Sequence, residues 1–461
     1  MTPLVPIMLF GWLPFTIYLF FRLPPHRAVL VSVIGGWLFL PMTGYNLPGF
    51  PTNYSKSMAI ALGLIIGGRL SGQRRAAAFH WKVYDVPMLC WCLCPIASSL
   101  SNQLGLYDGL AGVFTNFMTW GVPYLAGRVY FDNNDKLRDL FLAIVIGGLL
   151  YLPLCLYEVR MSPQLSNIFY GFFPHSFLQQ KRYGGFRPVV FMQHGLMVAL
   201  WMAASTTATY WLWRSGELKH IKGIPISIVS LGLIVTTILC KSANGWISLA
   251  LGCGGYFVFC FFKSSWPFRL LLLLLPFYIL LRITGGVSGE MVESMAGRAF
   301  DADRMSSLAI RLVQEDLFIE KTLERPFLGW GTMGRGWPVG KESGKSAIGM
   351  IDALWLIVYN TRGMIGISSL GAMMMLGPWL ALRSLKKQKF RVAFIQMGPV
   401  LLSLVVILFM IDMLVNGMFN PVYVLISGAL LGWYAHQDIL LPAKGVNGGR
   451  QGRTTPERYA R

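Results

Sequence analysis

Along this chain, apolar residues run in long blocks with almost no charge inside them, and the charged residues gather between the blocks. Blocks of that length cross the hydrocarbon core of a bilayer as helices, which satisfy their own backbone polar groups. Thirteen blocks fit: 4–21, 28–42, 56–70, 84–100, 111–127, 138–158, 188–213, 223–240, 243–262, 266–283, 351–382, 392–412 and 420–437. Several are short, and twelve spans fit nearly as well. The pattern predicts an all-α fold, a polytopic transmembrane helical bundle, with residues 1–441 forming one membrane domain. Residues 442–461 are Gly- and Arg-rich and read as a disordered, basic cytoplasmic tail.

Composition agrees: 54% of residues are hydrophobic, only 13% are charged, and the mean hydropathy is +0.54. The first block is long, uniformly apolar and without a basic leader, unlike a cleavable signal peptide. The net charge of +20 does not point to nucleic acid, because Lys and Arg sit at block ends, where they orient spans. With the C-terminus cytoplasmic, alternation puts well over half of the 40 Lys and Arg inside, including Lys386, Lys387, Lys389 and Arg391. Two loops then break the rule on the outer, periplasmic side: 159–187 and 284–350, which together form the expected site. Long loops cross regardless of charge, but the shorter one suggests contact with an anion. The seven cysteines all fall inside apolar blocks. They read as small apolar residues, with neither metal nor disulfide expected.

In the first loop, Arg182 and Arg187 are five residues apart with glycines between them. Close backbone approach and bidentate guanidinium contacts would suit a phosphate; the other reading is an anchor to lipid headgroups. His194 lies slightly deeper and is either an ionisable site residue or a packing residue. Lys241, in a tight turn between two spans, is a further phosphate-contact candidate. In the second loop, Leu308, Leu312, Ile319 and Leu323 predict an amphipathic helix over about 303–325, with Asp301 or Asp303 at its start. Arg304 and Arg311 share one face of it, and Glu315 is placed to pair with Arg311. A GxGxxG string follows at Gly329, Gly331 and Gly334. Without a preceding strand it is no dinucleotide site, and Val339 breaks the P-loop spacing before Gly344-Lys345-Ser346. It reads as a glycine-rich turn that either presents backbone N–H groups or simply connects. Asp352, at the mouth of the next span, either accepts a proton from a hydroxyl or caps the helix.

In their order, these segments resemble the bacterial O-antigen ligase and O-antigen polymerase superfamily of membrane glycosyltransferases. The similarity runs over about 140–385: Arg182-Tyr-Gly-Gly-Phe186, then Lys241-Ser-Ala-Asn-Gly, then Arg311 leading to Pro326-Phe-Leu-Gly329-Trp-Gly331, then Gly363-Met-Ile-Gly366. The resemblance implies transfer of a glycan from an undecaprenyl-pyrophosphate carrier to an acceptor hydroxyl at the outer face of the bacterial cytoplasmic (inner) membrane, with no metal or cofactor. It implies that arginines, here Arg311 and one of Arg182 and Arg187, hold the pyrophosphate. Where the family's ligases have His, this chain has Asp352, so Asp352 and His194 both stand as candidate bases. Two rivals remain: a transporter or flippase for an anionic lipid-linked substrate, and a non-catalytic protein of envelope assembly.

Overall fold

A computed structural model describes residues 1–72, 79–296, 302–338, 352–385 and 394–440. The predicted tail at 442–461 lies outside the described residues, as do Asp301, Lys345 and the basic segment 386–391. The described chain is almost wholly helical. Its helices are α1 (Leu4–Arg22), α2 (Pro25–Leu30) and α3 (Gly36–Phe39) joined by a wider turn at Val31–Gly35, α4 (Lys56–Leu70), α5 (Val86–Ser101), α6 (Leu106–Asn116) and α7 (Val122–Tyr130) joined by a wider turn at Phe117–Gly121, and α8 (Asn134–Met161). They continue as α9 (Leu165–Tyr170), α10 (Gly195–Ser215), α11 (Ile226–Leu239), α12 (Ala243–Phe262), α13 (Trp266–Ile283), α14 (Gly289–Ala296), α15 (Ala302–Leu323), α16 (Leu354–Ser384), α17 (Phe394–Met413) and α18 (Pro421–Leu440). Each of the thirteen apolar blocks contains helix. Three small antiparallel pairs complete the fold: β1 (Gly44–Tyr45) with β2 (Tyr54–Ser55), β3 (Lys181–Arg182) with β4 (Gly185–Phe186), and β5 (His220–Ile221) with β6 (Ile224–Pro225).

Among the described residues, six helices are long and apolar enough to cross a membrane: Leu4–Arg22, Val83–Ser101, Asn134–Met161, Ala243–Phe262, Trp266–Ile283 and Leu354–Ser384. The protein is therefore an all-α helical bundle of membrane type. Helix α10 is its central post. Nearly every residue of α10 is buried, including Ser205, Thr206, Thr207 and Thr209. The three threonine hydroxyls donate to backbone carbonyls one turn back, at 2.7–2.8 Å. Polar side chains in an apolar interior are tolerable when bonded in this way.

Helix α16 is broken. Gly363 has φ 62° and ψ −159°, outside the helical region, so the carbonyls beside it lose their partners within the helix. The segment 326–331 fills the gap. Trp330 N and Gly331 N donate to Asn360 O and Thr361 O at 2.8 and 3.0 Å; Met364 N and Ile365 N donate back to Pro326 O and Phe327 O at 2.7 and 3.2 Å. The Ser98 hydroxyl of α5 closes the joint on Leu328 O and Thr361 O. The glycine-rich turn is thus a clasp, and these two N–H groups are spent on α16 carbonyls.

The clasp generates a prediction. A Cβ on Gly363 would lie 2.4 Å from the carbonyl of Phe327, at a φ that side chains rarely adopt. Gly363→Ala is expected to destabilise the detergent-solubilised protein by about 2–3 kcal/mol in thermal or denaturant unfolding. In the same helix, Gly371→Ala meets nothing within 4 Å and should be neutral or slightly stabilising.

Candidate functional site

Helix α15 is held to the bundle by a buried charge network. The Arg282 side chain, at the end of α13, is fully buried and donates to the Glu315 carboxylate at 3.0 and 3.3 Å. Its other terminal nitrogen meets Asp316 at 2.9 Å and Val287 O at 3.0 Å. Leu312, Phe318 and Ile319 bury the apolar face. Leu323 departs from the predicted stripe and is 49% exposed, because the chain turns away there into the clasp. The Leu308 and Arg304 side chains lie outside the described residues.

This network corrects the expected Arg311–Glu315 pair. Arg282 takes Glu315, so Arg311 turns elsewhere. Its Nη2 lies 3.3 Å from Asp352 Oδ2, and its Nη1 is 3.5 Å from Val415 O. Asp352 does not cap α16, whose N-cap position is Ala353; its carboxylate is 44% exposed beside Arg311. A cavity of about 190 Å³ opens here, lined by Tyr278, Arg311, Glu315, Phe318, Asp352 and Leu356 among others. Its walls are largely apolar, and Arg311 and Asp352 supply a pair of opposite charges.

The first loop supplies more cations. Strands β3 and β4 form a hairpin whose two turn residues, Tyr183 and Gly184, both have positive φ, as a tight right-twisted hairpin requires. The hairpin is fastened to the turn between α11 and α12. Lys241 Nζ donates to Tyr183 O at 3.3 Å, and the Tyr183 ring stacks on Trp246 at 5.5 Å. Arg187, buried, donates through Nε and Nη2 to Lys241 O at 3.3 and 3.0 Å. Lys241 and Arg187 are thus partly committed to building the hairpin, whereas the Arg182 side chain stays exposed. Burial, and next the charge of Arg182, bring the Arg187 guanidinium down to about 10, so it remains a cation at neutral pH.

His194 is the N-cap of α10, which begins at Gly195 rather than at 188. Its Nδ1 accepts the Leu196 N–H at 3.1 Å, leaving the proton on Nε2, 3.3 Å from Gln179 Oε1. With one nitrogen capping a helix and the other protonated, the imidazole is a hydrogen-bond donor rather than a base. Glu158, buried at the end of α8, accepts the N–H groups of Leu165, Val189 and Val190 at 2.7–2.8 Å. That anchor fixes the extended segment between the hairpin and α10. The turn after α17 holds Arg311 through Val415 O, and Asp412 at the start of that turn accepts a hydrogen bond from Asn244, three residues beyond Lys241. Two loops distant in sequence are therefore connected through Asn244, Asp412 and the turn after α17.

Two groups escaped the sequence reading. Arg282 and Glu158 lie inside apolar blocks, where a charge is itself a signal. Asp412, which with Asn416 marks a block end in the sequence, accepts hydrogen bonds from Asn244 and Asn416. Glu315 gives a pH test. Burial raises its carboxyl from 4.5 to about 7, outweighing the opposing pull of Arg282. The folded state then keeps a proton that the unfolded chain releases between those values. The contribution of Glu315 to stability should fall as pH rises from 4.5 through 7, by on the order of 3 kcal/mol. Unfolding free energies of wild type and Glu315→Gln across that window should converge at its acid end and diverge above it. Compared with family models, with curated proteins and with solved structures, the chain matches none of them.

Proposed function

We propose that this protein is a membrane glycosyltransferase of the O-antigen ligase/polymerase kind. It would move a glycan from a polyprenyl-pyrophosphate carrier to a hydroxyl acceptor at the outer face of the bacterial cytoplasmic membrane. The observation that carries the reading is the pairing of Arg311 with a half-exposed carboxylate, Asp352, beside a cavity, while the turn that holds Arg187 is tied through Asn244 and Asp412 to the turn that holds Arg311. Cations gathered from separate loops suit a multiply charged anion. The largely apolar cavity beside Arg311 and Asp352 suits the lipid that carries it.

In this reading Arg311 changes partner. Without substrate it neutralises Asp352; with substrate its planar fork turns to the pyrophosphate oxygens. Asp352 is then free to take the proton of the acceptor hydroxyl. The acceptor oxygen bonds to the anomeric carbon, the bond from that carbon to the pyrophosphate oxygen breaks, and the carrier pyrophosphate leaves with the electron pair. The arginines stabilise the charge that grows on it. His194 contributes a hydrogen bond at most, since neither nitrogen is available as a base.

The transporter reading draws on one observation, the broken helix α16, because discontinuous helices line many transport sites. Here the break is closed by the chain's own 326–331 segment instead of lining a path. Cations do lie in the described spans, among them Lys56, donating to Trp37 O at 3.0 Å, and Arg362 beside the break, one of whose nitrogens is buried without a hydrogen bond. The two readings separate in cells that accumulate undecaprenyl-linked glycan. Transfer empties the carrier and places the glycan on a new hydroxyl; transport moves the loaded carrier intact.

Arg311→Lys tests the role of the fork. Membranes with equal amounts of each variant should show transfer reduced about a hundredfold, the usual loss for an oxyanion contact. Near-normal transfer by the lysine variant would remove Arg311 from the site. Asp352→Asn should lose transfer as well while still releasing Arg311 to bind the donor. Donor binding retained without turnover would separate the two roles.

A further inference from the structure

The two halves of the site, hairpin and α15, both connect to one residue, Asp412. Asp412 is only 3% exposed, at the end of α17. Its Oδ1 accepts from Asn244 Nδ2 and, at 2.6 Å, from Asn416 Nδ2. Asn244 lies in the first turn of α12, beyond Lys241, whose carbonyl holds Arg187 and whose ammonium holds the hairpin turn. On the other side, the Asp412 carbonyl accepts Val415 N and Asn416 N at 3.0 and 2.8 Å, which closes the turn after α17. That turn offers Val415 O to Arg311 and Asn416 O to the Leu354 N–H at 3.1 Å, directly beyond Asp352. From Asp412, then, one path runs through Asn244 to Arg187, and another through the 415–416 turn to Arg311 and Asp352.

A buried carboxylate at the end of an apolar helix is costly, and an apolar residue of similar volume would pack there at less cost. The bonds that Asp412 makes in both directions give a reason for its presence. We propose that Asp412 is a positioning residue: through Asn244 and the 415–416 turn it sets the spacing between the arginines of the hairpin and the Arg311–Asp352 pair. This rests on the glycan-transfer reading for its consequence, though not for its geometry. Asp412 touches no substrate in this scheme. A small error in the relative placement of two anion-binding segments is enough to cost about a hundredfold in rate.

The experiment uses the whole protein in nanodiscs, with two readouts. Amide hydrogen exchange is followed in peptides covering 181–187 and 352–356, and transfer is measured from a polyprenyl-pyrophosphate-linked glycan. Asp412→Leu should raise exchange in both segments together and lower transfer about a hundredfold. The double variant Asn244→Asp with Asp412→Asn keeps a carboxylate–amide bond between the two positions and leaves an acceptor for Asn416. It should restore protection in both segments and most of the transfer. Loss of protection around 412 alone, or in one segment only, overturns the proposal. So does a double variant that folds with wild-type melting but regains neither protection nor transfer. If the wild-type protein shows no transfer at all, the functional reading fails, and the exchange data still decide whether Asp412 couples the two segments.

Discussion

Two carbonyls set the architecture of the candidate site. A helix broken inside an apolar bundle exposes backbone acceptors that neither water nor lipid can satisfy, and each would cost several kcal/mol if left alone. In α16 the acceptors are Asn360 O and Thr361 O, and the donors come from Trp330 and Gly331. Asn360 adds side-chain bonds to Thr322 Oγ1 at 3.0 Å and to Gly336 O at 2.9 Å. The C-terminal end of α15 is therefore pinned at the break, and α15 must rise from there along the start of α16. That path is what brings Arg311 beside Asp352. The break is best understood as the socket for the long loop, and the glycines of the 326–331 segment as what lets it enter.

The same economy governs the other half. Glu158, Arg282 and Asp412 are buried, and each is consumed by several partners: Glu158 by backbone N–H groups, Arg282 by two carboxylates and a carbonyl, Asp412 by two amides. Buried polar groups become tolerable when they are held by several hydrogen bonds. These groups stiffen the chain around cations that are less fully committed. Arg182 is exposed, and Arg311 is held by one partly exposed carboxylate and one long contact. A rigid frame carrying incompletely satisfied cations is the arrangement expected of an anion site, since little reorganisation is needed when the anion arrives.

The long blocks made the helices legible, because a run of apolar residues has only one way to satisfy its backbone in lipid. The heptad-like spacing around Leu312 and Ile319 gave α15, and the runs of Lys and Arg gave an orientation for the proposed topology. Individual partners were not legible. Arg311 and Glu315 are four apart on one helix, the spacing of a favourable local pair. Such a pair is worth a few tenths of a kcal/mol, and the buried Arg282 outbids it, since an unpaired buried arginine costs far more. Likewise the position of Asp352 in the sequence suits a helix cap, but the N-cap of α16 is Ala353.

The sequence by itself determined that this is an all-α protein with helices fit to cross a membrane, and which segments carry the unusual positive charge. It did so because span length and charge placement are local properties of a chain that must satisfy its backbone in lipid. Only the tertiary structure decided that the glycine-rich string is a clasp rather than a phosphate cradle, that His194 caps a helix, and that Arg187, Lys241, Asp412, Arg311 and Asp352 belong to one connected region. Those outcomes depend on which donor reaches which acceptor across long sequence separations. That is settled by competition among buried polar groups, which no local pattern records.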